Sequence, residues 1–184
     1  WINPDATETD GGIVLQRKVT DREVNYEIGL TATNTVYVRY VPNFGSPEVV
    51  LVSPAPITVD GATWTHIAAT YFNRELNLYV GGANVASAAG LAAGPAVFAG
   101  GPVRQRIGAG FHGLIDEVRI WGTEREGDSI AADRDSVLSG LEKDLVAYYR
   151  FDDNTSYSNG VGTVTGTSRN NRAAGDSNVV AWTT

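Results

Sequence analysis

The chain has 184 residues, a net charge of −7, and neither cysteine nor methionine. Its length suits one domain with a sizeable core, and the missing cysteines exclude disulfides, zinc–thiolate centres and thiol nucleophiles. An acidic balance with no basic cluster argues against a nucleic-acid partner, and no run of about 20 apolar residues is present to insert into a membrane as a helix.

Trp1-Ile2-Asn3-Pro4 opens the sequence, as expected of a processed product or a fragment. Residues 13–17, 26–30, 35–41, 49–52, 64–71, 76–80 and 84–88 read as strands, because β-branched, aromatic and apolar side chains alternate with polar ones there. Turn chemistry separates them, at Thr33-Asn34, 42–45, Asp60-Gly61, Asn73-Arg74 and Gly81-Gly82. The Ala/Gly-rich run 86–101 has no helical periodicity and reads as an irregular crossing. A helix is expected over 128–138, with Asp128 as N-cap, Ile130, Arg134, Val137 and Leu138 on one face, and Gly140 as terminator. A strand at 145–151 follows, then a polar tail with a short closing strand expected at 178–182. Short strands at this spacing predict an all-β antiparallel sandwich of jelly-roll type with one short helix. The division expected is one domain over 1–153 and a loop-rich tail over 154–184.

Residues 113–121, Gly-Leu-Ile-Asp-Glu-Val-Arg-Ile-Trp, read as one strand. Alternation then sets Leu114, Asp116, Val118 and Ile120 on one face, and Ile115, Glu117, Arg119 and Trp121 on the other. Asp116 falls in an otherwise apolar row, where a carboxylate needs a cation or several donors.

The ordered set Trp1-Ile2-Asn3-Pro4, Trp64-Thr65-His66-Ile67-Ala68, Leu76-Asn77-Leu78-Tyr79-Val80-Gly81-Gly82 and Gly113 to Trp121 resembles the laminin-G-like, pentraxin-like group of the concanavalin A-like lectin/glucanase superfamily. The resemblance covers about residues 1–153. That group usually carries one or two strands ahead of its equivalent of Trp1-Ile2-Asn3-Pro4. Either the chain is truncated, then, or another segment fills that sheet position. From Leu145 onward the tail resembles the start of a further copy, as in a tandem array.

The resemblance implies calcium near the equivalent of Asp116. Calcium takes six to eight oxygens, and Asp152, Asp153 and Asn154 are the expected companions. The alternative for Asp116 is a structural clamp held by backbone amides. Glu117 and Arg119 are expected to pair across the pleat, either as a solvated surface pair or, with Trp121 as a stacking surface and Tyr79 beside it, as a sugar site. Trp64 is expected in the core, and His66 is expected to face inward as a structural histidine. Asp116 and Glu117 are adjacent and point to opposite faces, which excludes them as the carboxyl pair of a retaining glycosidase. The first functional reading is a non-catalytic, calcium-stabilised carbohydrate-binding or adhesion module of a surface or secreted protein. The second is a structural module packing against neighbouring domains, a tandem-repeat neighbour or a second copy. A glucanase-like hydrolase is third.

Overall fold

The computed structural model describes residues 1–5, 11–18, 24–41, 46–92 and 104–151, together with the strand backbones of 156–158, 163–165 and 168–170. The elements are β1 (Ile2–Pro4), β2 (Gly12–Lys18), β3 (Val24–Leu30), β4 (Thr35–Tyr40), β5 (Val49–Pro56), β6 (Ile67–Phe72), β7 (Glu75–Val80), β8 (Ala83–Ala88), β9 (Arg104–Ala109), β10 (Gly113–Ile115) and β11 (Val118–Trp121), then α1 (Gly127–Asp133), β12 (Leu145–Tyr149), β13 (Ser156–Ser158), β14 (Thr163–Thr165) and β15 (Ser168–Asn170). All strand pairs are antiparallel.

One layer is a five-stranded sheet in the order β5-β4-β3-β2-β9. The facing layer is assembled from pieces: β6-β7-β8, β1-β10 and β11-β12-β15. Ile2, Val14, Leu30, Val36, Val38, Tyr40, Leu76 and Leu78 form the main core between the layers. A second cluster of Ile107, Val118, Ala147 and Tyr149 joins β9 to β11 and β12. Ile115 packs against both clusters. Apolar side chains from two sheet faces meeting in this way make the β-sandwich the alternation predicts.

The hairpins follow local chemistry. Asn73 and Arg74 between β6 and β7 both have positive φ (45° and 67°), as do Gly81 and Gly82 between β7 and β8 (63° and 88°). Two-residue connections of this hand match the twist of the strands they join.

Three expectations need correction. The stretch from Gly113 to Trp121 is two strands rather than one. Glu117 has φ +51°, so the chain kinks at Asp116-Glu117 and the alternation breaks there. Leu114 is 59% exposed while Ile115 packs inward, the reverse of the expected parity. Beyond the kink Val118 is buried, as the alternation predicts. β10 pairs with β1 and β11 with β12, so each half answers to a different neighbour.

The helix ends at Asp133, with Glu126 rather than Asp128 at its N-cap position. Carbonyls that would continue it are taken elsewhere: Arg119 Nη1 donates to Asp133 O at 2.9 Å and the Trp1 indole donates to Arg134 O at 3.0 Å. Val137 is left 65% exposed. Finally, Arg104–Ala109 forms a strand on the edge of β2, in a stretch where no strand was expected. The expected closing strand at 178–182 lies outside the described residues.

Candidate functional site

The kink at Asp116-Glu117 creates the site. Asp116 Oδ1 accepts the Glu117 amide at 2.8 Å, a local bond that holds the left-handed turn. Asp116 also closes a ladder pair with the first residue: its amide donates to Trp1 O at 2.9 Å, and its carbonyl accepts from the Trp1 amino group at 2.8 Å. The turn swings Glu117 to the same side as Arg119. Arg119 Nη2 donates to Glu117 Oε2 at 2.8 Å, and the Tyr148 hydroxyl donates to the same oxygen. Arg150 Nε lies 3.7 Å from Glu117 Oε1.

This pair forms as predicted but is not solvated: the side chains of Arg119 and Glu117 are only 13% and 16% exposed. Arg119 also reaches the carbonyl of Ser136 and lies 5.6 Å from the Tyr148 ring centre. A cation is favourable where the last carbonyls of a helix point, and a carboxylate held by two or more donors stays charged at low cost.

Above the pair lies an open depression of about 440 Å³, lined by Trp1, Trp64, Glu117, Arg119, Arg134 and Arg150 among others. Trp64 is 40% exposed, not a core residue as expected. Its position follows from the turn before it, where Asp60 Oδ1 accepts the amides of Ala62 (2.9 Å) and Thr63 (2.7 Å) and β6 starts only at Ile67. The Asp60-Gly61 turn was visible in the sequence and was the signal that Trp64 precedes the strand. Trp1 stands edge-on to His66, with ring centres 5.3 Å apart. Burial lowers the Trp1 amino group to about 6 and, with that amino group's charge as second cause, lowers His66 to about 4.

Two nominated residues are elsewhere. Trp121 carries the Arg125 guanidinium 4.6 Å from its ring, and Arg125 pairs with Asp133. Tyr79 is buried, with its ring beneath Gly127 at the start of α1, and offers no surface to a ligand. For calcium, Asp116 is the only nominated ligand among the described residues. Those residues hold no group of three or more His, Cys, Asp or Glu side chains able to share a metal ion, so by themselves they fall short of the oxygens calcium takes. Asp152, Asp153 and Asn154 lie outside the described residues.

Comparison with known proteins agrees with the architecture. The family model described as the concanavalin A-like lectin/glucanases superfamily matches residues 1–131. No curated protein is similar enough to count as a relative. A Bacteroides ovatus protein provisionally described as carbohydrate-binding superposes with a TM-score of 0.54 at 16% identity, over 92% of this chain and 57% of its own. The chain thus spans little more than half of that protein. A heptameric SAP-like pentraxin from Limulus polyphemus is more distant, with a TM-score of 0.36 at 11% identity over 49% of this chain and 41% of its own. With the family model matching well over half of its residues, the chain belongs to the concanavalin A-like lectin/glucanase superfamily, as a laminin-G-like β-sandwich domain.

Proposed function

We propose that this domain is a non-catalytic carbohydrate-binding module of a secreted or cell-surface protein, with the depression over Glu117 and Arg119 as its sugar site. The observation that carries the reading is Trp64. An indole 40% exposed at the edge of a depression offers a flat apolar face to a sugar ring, and aromatic faces of this kind supply binding area at low entropic cost. Beside it, the charged rim of Glu117, Arg119, Arg134 and Arg150 supplies donors and acceptors for hydroxyls. The provisional description of the Bacteroides ovatus protein supports the same class of ligand.

A hydrolase fits the rim less well. Retaining cleavage needs two carboxyls about 5–5.5 Å apart with one free to attack. Here Asp116 Oδ1 holds the Glu117 amide, and Glu117 is held by Arg119 and Tyr148. Both carboxylates have structural work at the kink. Calcium, if this domain uses it, would stabilise the kink from Asp116 and the residues after Phe151.

Glycan-array screening followed by calorimetry tests the reading. A ligand found for the parent chain should bind at least about tenfold more weakly to Trp64→Ala, with the melting temperature unchanged. Undiminished binding by that variant would remove the depression as the sugar site, and release of reducing sugar from the bound glycan would overturn the non-catalytic reading.

A further inference from the structure

Between β6 and β11 the second layer of the sandwich is open. Among the described residues β6 pairs only with β7, and β11 only with β12. The slot between them encloses about 580 Å³. Its floor is the inner face of the five-stranded sheet, with Val14, Tyr26, Ile28, Val38 and Tyr40. An apolar floor flanked by two strand edges is the shape of a missing strand, not of a sugar site, since unpaired edges bind extended chain.

The register says which way such a strand runs. Ile2 and Thr65 exchange both hydrogen bonds, at 3.0 and 2.8 Å, and Ile2 also pairs with Ile115. β1 therefore sits between the approach to β6 and β10, antiparallel to both. Backbone groups alternate between the two edges of a strand. Thr65 bonds β1 while the His66 carbonyl accepts from Gly81 on the β7 side. Ile67, Ala69 and Tyr71 consequently present their amides and carbonyls to the slot. In the Ile2–Thr65 register, a residue joined to the Trp1 amino group sits opposite Ile67, and the third residue along sits opposite Ala69. Ile2 is fully buried, so every second residue of that strand, starting with the one joined to Trp1, faces the apolar floor. The Trp1 amino group already donates to Asp116 O at 2.8 Å. A neutral amide there would make the same bond with no charge to desolvate.

We propose that this slot is a strand-acceptor groove, filled by one extended polypeptide segment that continues β1 past the Trp1 amino group and bonds β6 along one edge and β11 along the other. The inference is independent of the sugar site.

The test joins a six-residue Thr-Val-Thr-Val-Thr-Val extension to Trp1 of the full chain, which turns Val toward the floor, and compares it with an extension carrying Pro at the positions opposite Ile67 and Ala69. The expected result is amide exchange slowed at least about tenfold at Ile67, Ala69 and Tyr71, with a higher melting temperature, for the first extension only. A Lys-for-Thr version keeps the result readable if the first self-associates. Unchanged exchange in both strand-forming extensions overturns the proposal. So does protection of the same amides in the unextended chain that rises with dimer mass, which would assign the slot to a second copy. Protection by the free peptide but not by the fused one would assign it to a partner's strand and overturn the proposal equally.

Discussion

Arg119 donates to the Glu117 carboxylate at 2.8 Å, and the same guanidinium holds the Asp133 carbonyl at the end of α1 at 2.9 Å. One side chain therefore ties the kink before β11 to the end of the helix. Removing one partner of a largely buried ion pair leaves the other charge uncompensated. Arg119→Ala should lower stability by about 3 kcal/mol, and Glu117→Gln by less, because the amide still accepts from Arg119 and Tyr148. Denaturant unfolding of the two single variants and the double variant measures this. Strict additivity would show that the two side chains do not act as a unit.

Free amine and imidazole at the Trp1–His66 contact make stability depend on pH. Burial holds both groups below their ordinary values, at about 6 and about 4. The folded state thus binds fewer protons than the unfolded chain, and stability rises with pH. For the amino group, stability is fully present above pH 8 and is lost as pH falls towards 6. His66 adds a second loss, from pH 6.5 down towards 4. A two-unit shift corresponds to about 2–3 kcal/mol. Thermal melts should therefore fall between pH 8 and 6 for the free chain and stay level there after acetylation of the Trp1 amino group. Parallel curves for the two forms would show that the amine is not held neutral by folding.

Much of this fold was legible in the sequence for local reasons. Asn73-Arg74 and Gly81-Gly82 are residues that tolerate positive φ or sit between strongly alternating strands, and the hairpins fall there. β9 was not legible: Arg-Gln-Arg-Ile-Gly-Ala has one β-branched residue, and its extended state comes from pairing along β2. The kink at Glu117 was hidden for a related reason. Glutamate has no preference for φ +51°, and only the Asp116 bond, Arg119, Tyr148 and the separate partners of β10 and β11 make it hold. Once alternation was carried through that kink, Asp116 was placed in an apolar row and Trp64 in the core, and the site took shape only in three dimensions.

The clamp at Asp116 and a calcium site at Asp116 predict different melts. A clamp acts through the 2.8 Å bond to the Glu117 amide and needs no ion. Asp116→Ala should then cost about 1–2 kcal/mol, equally with calcium and with chelator. The parent should melt at one temperature in both. A parent that loses stability with chelator while Asp116→Ala does not would establish the metal and displace the clamp.

Gly113 fixes how closely β10 approaches β1, and therefore where Trp1 and Asp116 meet. Its φ is +143°, and a Cβ built there would lie 2.3 Å from the Asn3 carbonyl oxygen and 2.8 Å from the Pro4 Cα. Both obstacles are backbone, so neither can swing aside as a flexible side chain would. Gly110, three residues earlier, also has positive φ (+68°) but has open space where its Cβ would stand. Gly110→Ala should thus cost only the left-handed penalty, about 1–2 kcal/mol. Gly113→Ala carries a backbone clash as well, and should lower the melting temperature well beyond the Gly110 variant. It should also expose the Trp1 indole, because the β1–β10 ladder and the Trp1–Asp116 pair shift together. Tryptophan fluorescence and thermal unfolding of the two variants read both effects, and equal losses would show that β1 does not depend on that close approach.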